Sequence, residues 1–139
     1  ASTPTRISTC SPGQTKPPAD ANTPASTKIR EYKASDGRIA ILVYGRGTGR
    51  GGDYGWAHIR NKHIYGIWLE GGPLTKYSEV GICSESDVLD AIGAALSSAR
   101  PKAEGPRAVY QAIAVGNRGT ILVVVGDDGT IITAYPVLR

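Results

Sequence analysis

The spacing of apolar residues changes once along the chain, from a helical period to short strand-like runs. Between Ser84 and Pro101 four apolar residues recur at helical spacing, and Ser84 followed by Asp87 resembles a capping box. The four residues are Val88, Ile92, Ala95 and Leu96. This pattern predicts an amphipathic helix that ends near Pro101.

After Pro106 the pattern becomes a series of apolar runs separated by turn residues. The runs cover residues 108–115, 120–125 and 130–135. Their joints, residues 116–119 and 126–129, contain the Gly, Asn and Asp residues that tight hairpins require. The middle run contains the segment ILVVV, which is apolar on both faces, as is typical of an interior strand. We therefore expect an antiparallel meander with this strand at its centre.

Two further elements are predicted before the helix that lies between Ser84 and Pro101. Residues 38–44 (RIAILVY) are apolar, favour β-structure and are bounded by glycine, so they predict a strand. Asp53 is a suitable N-cap for a helix that runs to about His63. The expected architecture is an α+β domain in which N-terminal helices pack on a C-terminal antiparallel sheet.

The beginning of the chain differs in composition from the rest. Ser, Thr, Pro and Ala fill 19 of the first 27 positions, which also hold five of the nine prolines. Such a segment has too little apolar area to offset the entropy of ordering. We expect residues 1–27 to be a flexible tail or linker and residues 28–139 to be one folded domain.

The charge of the chain is mildly basic. Sixteen Lys and Arg residues stand against twelve Asp and Glu residues, a net charge of +4 that favours polyanions without establishing a nucleic-acid partner. No apolar run approaches the roughly 18 residues of a membrane span, so no span is expected.

The cysteines and the first residue bear on location. The chain begins at Ala1 and contains no Met, as a processed secreted protein or an excised C-terminal domain would. In an exported chain a Cys10–Cys83 disulfide would pin the tail to the domain, and two unpaired thiols are the alternative.

Both histidines lie in residues 55–64 (GWAHIRNKHI), together with two cations. The cations are Arg60 and Lys62. Because histidine titrates near neutral pH, the cluster is a candidate acid–base site. At about 100° per residue, however, His63 lies on the apolar face of a helix and His58 on roughly the opposite one. The two rings would converge if the last turn frayed or became 3₁₀ near Asn61.

Structural roles for the histidines are the alternative. His63 on an apolar face would then be a core residue bonded to a backbone carbonyl, and His58 an exposed helix residue. A zinc site is disfavoured because the five-residue spacing is not that of a helical His pair, and no Cys or Glu completes a set. No metal or other cofactor is therefore predicted.

Two other segments carry candidate ligand-binding groups. Strand alternation places the Thr133 and Tyr135 hydroxyls on one face about 7 Å apart, which suits two donors to one phosphate, although both residue types are common in sheets. Residues 45–52 are rich in glycine but lack the context of a nucleotide-binding loop. We interpret them as a mobile loop that brings Arg46 and Arg50 near a polyanion, with a plain connector as the alternative.

These motifs together resemble a known group of enzymes. The order GWxHIxxKH, then an amphipathic helix, then a hairpin ending GxIITAYP resembles the small ribonuclease domains at the C-termini of bacterial polymorphic toxins, over roughly residues 50–137. Two patterns compete: the barnase/EndoU/colicin/RelE-like superfamily and the RNase A-like domains of contact-dependent inhibition toxins. The RNase A-like members carry an arginine shortly after the second histidine. Residues 65–70 contain none, which favours the barnase/EndoU-like pattern.

The resemblance implies a metal-independent endoribonuclease. His58 and His63 would lie on the catalytic helix, and Thr133 and Tyr135 beside the scissile phosphate. The 2′-hydroxyl would attack the phosphorus to give a 2′,3′-cyclic phosphate, with histidines moving the protons. The cation that binds phosphate stays open among Arg46, Arg50, Arg60, Lys62 and Arg118.

The resemblance also implies partners and a location. The substrate would be tRNA or rRNA, and an acidic immunity protein would cover the basic cleft. The protein would be secreted, or delivered as a toxin into the cytoplasm of a target cell. A non-catalytic secreted binding or inhibitor domain is the alternative, and an ADP-ribosyltransferase toxin ranks lower because its catalytic Glu has no clear candidate.

Overall fold

A computed structural model describes residues 23–47, 52–64, 77–82, 84–113 and 119–138. Within these ranges the chain forms a mixed α+β fold, as the sequence predicts. Its elements are β1 (Lys28–Lys33), β2 (Ile39–Val43), α1 (Gly55–His58), a π-helix (Ile59–Ile64), a 3₁₀ helix (Tyr77–Val80), α2 (Glu85–Ser98), β3 (Lys102–Glu104), β4 (Arg107–Ile113), β5 (Gly119–Val125) and β6 (Ile131–Leu138).

The C-terminal half forms an antiparallel sheet in the order β3-β4-β5-β6. Buried and partly buried residues alternate along β5, which pairs with β4 on one side and β6 on the other. The predicted meander and its central strand are thus confirmed. Strand β3 was not predicted, because its three side chains are all exposed and carry no hydrophobic signal.

The N-terminal strands form a separate antiparallel hairpin. The strand predicted at residues 38–44 is confirmed as β2, whereas β1 was missed because four of its six residues are charged. The Ile41 backbone N–H donates to the Gly129 carbonyl (2.8 Å), and Ile41 bridges Thr130 in parallel fashion. This contact joins the hairpin to the beginning of β6.

Helix α2 follows the prediction closely. The Ser84 hydroxyl accepts a hydrogen bond from the Asp87 backbone N–H (3.0 Å), which satisfies one of the free donors of the first turn. The residues it buries are the four predicted from their spacing, Val88, Ile92, Ala95 and Leu96. The helix contacts β1, β4 and β5, and its buried residues join the main hydrophobic core.

The first helix begins differently from the prediction. Asp53 is not its N-cap: that position belongs to Tyr54, which is extended and makes no capping bond with its side chain. Tyr54 is held in this conformation because its backbone exchanges two hydrogen bonds with Arg46 (2.9 and 3.0 Å). Gly55, with φ +80°, then turns the chain into the helix, and a Cβ there would meet the Val43 carbonyl oxygen at 2.7 Å.

The described chain begins before β1. The Tyr44 backbone N–H donates to the Thr27 carbonyl (2.8 Å), and that of Gly45 donates to the Ala25 carbonyl (2.9 Å). Most of the predicted tail lies outside the described residues, as do Cys10 and Cys83 of the predicted disulfide. Across the described ranges, no helix is long and apolar enough to cross a membrane.

Candidate functional site

The two histidines converge because the helix changes its winding between them. His58 is the last residue of α1, and the chain continues as a π-helix through His63. A π-helix pairs residues five apart, not four, so its wider turn brings positions i and i+5 together. The ring centroids of His58 and His63 are 5.6 Å apart, and the rings meet edge to face at 84°. The rings were expected to converge only if the last turn frayed or tightened to 3₁₀. In the structure they converge because the turn widens to a π-helix.

His63 is buried and stacks on a residue of the sheet. Its side chain is 4% exposed, and its ring lies 5.5 Å from that of Tyr135 with an angle of 26° between the planes. This contact connects the π-helix to β6. It brings the predicted tyrosine of the last strand to the predicted histidine pair.

Thr133 lies on the same face of β6 as Tyr135, since Ala134 between them is buried on the other face. The Thr133 hydroxyl is buried and has no hydrogen-bond partner among the described residues. An unpaired buried hydroxyl is unfavourable for folding, so its retention here is typical of a group that binds a ligand or an ordered water molecule.

His58 is poised to accept a proton at neutral pH. Partial burial lowers the pKa of His58, the nearby charge of Lys62 lowers it further, and Asp53 opposes both effects. The neutral imidazole therefore predominates at pH 7. Its Nδ1 is buried and has no hydrogen-bond partner within the described part of the chain.

Arg46 approaches the site through an ion pair. Its Nε lies 3.6 Å from Oδ1 of Asp53, and its Nη2 donates to the Gly52 carbonyl (3.1 Å). The Asp53 side chain is 4% exposed, whereas that of Arg46 is 55% exposed. The pair thus places a solvent-accessible cation beside the carboxylate that acts on His58.

Arg60 and Lys62 lie in different environments. Arg60 is 5% exposed, its guanidinium carbon is 5.6 Å from the ring centroid of Tyr44, and Nη2 donates to the Tyr44 hydroxyl oxygen (3.2 Å). Arg60 therefore faces the interior, and its cation–π contact holds the π-helix against the end of β2. Lys62 is partly exposed and is the cation whose charge reaches His58.

Asn61 is a residue of the site that the sequence analysis did not single out. Its Nδ2 donates to the Gly47 carbonyl (3.1 Å), while its Oδ1 is buried without a hydrogen-bond partner in the described ranges. A Cβ on Gly47 would lie 2.6 Å from the Ala57 carbonyl oxygen and 3.0 Å from Asn61 Nδ2. Asn61 fastens the glycine-rich segment to the π-helix, and its position inside the histidine cluster was its only sequence signal.

The structure thus brings together part of the predicted site. His63 contacts both His58 and Tyr135, and Thr133 shares the face of Tyr135. Among the described candidate cations, Lys62 acts on His58 through its charge, Arg46 pairs with Asp53, and Arg60 contacts Tyr44. Arg50 and Arg118 lie outside the described residues. Within the described residues, no group of three or more His, Cys, Asp or Glu side chains is arranged to hold a metal ion.

No protein-family model matches the chain, and no curated protein matches its sequence significantly. Two adjacent imidazoles, a stacked phenol, an unpaired hydroxyl and nearby cations are groups that can move protons and hold an anion.

Proposed function

We propose that the chain is an endoribonuclease that cleaves RNA without a metal ion, by attack of a ribose 2′-hydroxyl on the adjacent phosphate. The convergence of His58 and His63 beside Tyr135 carries this proposal, because in-line phosphoryl transfer needs one group to remove a proton and another to supply one. The products are a 2′,3′-cyclic phosphate and a free 5′-hydroxyl.

His58 is the general base of the proposed reaction. It is neutral near pH 7 and more exposed than His63, so it can take the proton of the 2′-hydroxyl. The 2′-oxygen then forms a bond to phosphorus while the bond from phosphorus to the 5′-oxygen breaks. His63, in its protonated form, gives a proton to the departing 5′-oxygen. The step leaves His58 protonated and His63 neutral, and solvent then takes one proton from His58 and returns one to His63.

Charge develops on the phosphoryl oxygens during this step and requires donors that are already in place. Lys62 supplies a cation beside His58. The Thr133 hydroxyl is available as a donor because no described group occupies it, and the Tyr135 hydroxyl lies on the same strand face. Arg46 is exposed and can reach a neighbouring phosphate.

A barnase/EndoU-like arrangement of helices on the sheet is part of the proposal. The contacts of α2 with β4 and β5, and of the π-helix with β6, support it. By the same resemblance we propose a secreted or cell-delivered toxin whose producer is protected by an acidic immunity protein. The exposed cations near His58 are the surface that such a protein would cover.

Incubation of the purified chain with total tRNA and rRNA in excess EDTA tests the proposal. We expect cleavage products that end in 2′,3′-cyclic phosphate, and a loss of at least about a hundredfold in rate for His58→Ala. Glu31→Gln, an exposed change on β1, is the matched control and should cleave normally. Intact RNA between pH 5 and pH 8, or full activity in His58→Ala, would contradict the proposal and favour a binding domain.

A further inference from the structure

A cavity of about 700 Å³ lies where the β3–β4 and β5–β6 turns meet the residues that precede α1. Among the described residues, neither the histidines nor Arg46 and Lys62 of the proposed reaction line it. The residues that matter for its chemistry are Tyr54, Val43, Arg107, Asp127, Asp128 and Thr130.

The cavity lies on the two elements that carry the proposed reaction site. Tyr54 immediately precedes α1, and His58 ends that helix about 4.5 Å along its axis from Gly55 at 1.5 Å per residue. Ile132, which also lines the cavity, precedes Tyr135 by three residues, or about 10 Å along β6. A nucleotide next to the one that reacts can therefore reach the cavity.

The lining selects the chemical class of the occupant. The walls are mainly apolar and include Tyr54, an aromatic residue on which a flat aromatic group can stack. Asp127 and Asp128 contribute exposed carboxylates. One oxygen of Asp128 accepts from the Thr130 backbone N–H (3.0 Å), which orients this carboxylate at the cavity mouth. Arg107 adds one cation to the lining, so the cavity can tolerate the phosphate of a nucleotide. Carboxylates accept hydrogen bonds, so the group that matches Asp127 and Asp128 is a ring that carries N–H donors.

We infer that this cavity binds a base of the RNA strand next to the cleaved linkage and favours cytosine over uracil. Cytosine presents an N4 amine with two N–H donors to carboxylates, whereas uracil presents a single N3–H donor beside an O4 acceptor that carboxylates repel. The two pyrimidines have nearly the same size, so the carboxylates, and not the cavity volume, distinguish them. The inference rests on the proposed function because it takes RNA as the substrate.

Binding of uncleavable oligonucleotides tests the inference independently of catalysis. The probes are two fluorescent 2′-O-methyl oligonucleotides, one of cytidine and one of uridine, since the methyl group prevents attack by the 2′-oxygen. With the full chain we expect about tenfold tighter binding of the cytidine probe, measured by fluorescence anisotropy. Equal binding of the two probes, tighter binding of the uridine probe, or no measurable binding of either would overturn the inference.

Variants of the lining residues separate the contribution of the carboxylates from that of stacking on Tyr54. Asp127→Asn combined with Asp128→Asn should abolish the preference for cytidine, whereas Asp90→Asn, an exposed carboxylate on α2, should preserve it. Tyr54→Leu should weaken binding of both probes about tenfold through loss of stacking, and Tyr54→Phe should not. A cytidine preference that survives the double substitution would overturn the assignment.

The outcomes also distinguish this inference from the proposed function. If the chain prefers the cytidine probe but cleaves no RNA, the base site stands and the proposed nuclease activity is wrong. If the chain cleaves RNA and binds both probes equally, the proposed nuclease activity stands and the base site is wrong.

Discussion

The pKa of His58 is set first by partial burial and then by two neighbours of opposite charge, Lys62 and Asp53. Burial and Lys62 both lower the pKa of His58, and Asp53 raises it. If the neutral ring is the general base, the acidic limb of the profile of kcat/KM against pH reports this pKa. That limb should therefore lie below about pH 6.5, the ordinary value for histidine.

Substitution of the two charged neighbours should move this limb in opposite directions. Lys62→Gln removes a positive charge that disfavours the imidazolium, so it should raise the pKa of His58 and shift the limb to higher pH. Asp53→Asn removes the opposing negative charge and should shift the limb to lower pH. NMR titration of the His58 ring measures both shifts directly, with Lys62→Arg as the control that keeps the charge. Shifts in the same direction would contradict the assignment.

Thr133 offers a test in which activity and stability separate. Because its buried hydroxyl has no partner among the described residues, Thr133→Val removes no internal hydrogen bond. The free energy of unfolding should stay within about 1 kcal/mol or rise. If the hydroxyl binds the phosphoryl oxygen, the same variant should lose about tenfold or more in kcat.

Urea denaturation and single-turnover cleavage provide the two measurements for Thr133. Thr133→Ser keeps a hydroxyl at the position and should retain most of the activity. A Thr133→Val variant that cleaves RNA at the normal rate would show that the hydroxyl takes no part in the reaction.

At the level of elements, local signals predicted most of the fold. Helix α2 was predicted from its cap and its apolar spacing, and the meander from its turn residues. Both signals act over a few positions of the chain, and the structure confirms both elements. β1 and β3 lack such signals because β1 is mostly charged and β3 is fully exposed. They form strands because they pair with β2 and β4.

The π-helix could not be predicted from the sequence, although it brings the two histidines of the site together. Its winding depends on contacts distant in sequence, including those of Arg60 with Tyr44, Asn61 with Gly47 and His63 with Tyr135. Both histidines and the strand residues Thr133 and Tyr135 were predictable from the sequence. The contacts that turn His58 and His63 toward each other were not, and the predicted N-cap of the helix is one residue early.

The α2 cap gives a prediction that is independent of the proposed activity. Ser84→Ala removes the hydrogen bond to the Asp87 backbone N–H and should lower the free energy of unfolding by about 1 kcal/mol. Urea denaturation measures this loss, and RNA cleavage at 25 °C should be unchanged because α2 lies outside the site. Ser86→Ala, at an exposed position in the same first turn, is the control and should leave stability nearly unchanged. Equal effects of the two substitutions would contradict the capping role.

For the molecule as a whole, the distribution of charge matters more than the net charge of +4. Exposed Arg46 and partly exposed Lys62 lie near His58, whereas Asp127 and Asp128 lie at the cavity beyond Tyr54. An RNA strand along this surface would place a phosphate at the cations and a base at the carboxylates. The proposed reaction and the proposed base site thus use different parts of one strand.

A DNA oligonucleotide that contains a single ribocytidine tests the central claim most directly. In EDTA, the account predicts one cut, on the 3′ side of the ribose, with a 2′,3′-cyclic phosphate detected by mass spectrometry. The all-deoxy oligonucleotide should stay intact, and His58→Ala should leave both uncut. Cleavage of the all-deoxy strand, a product with a 3′-hydroxyl, or no cleavage of the ribose-containing strand would contradict the account.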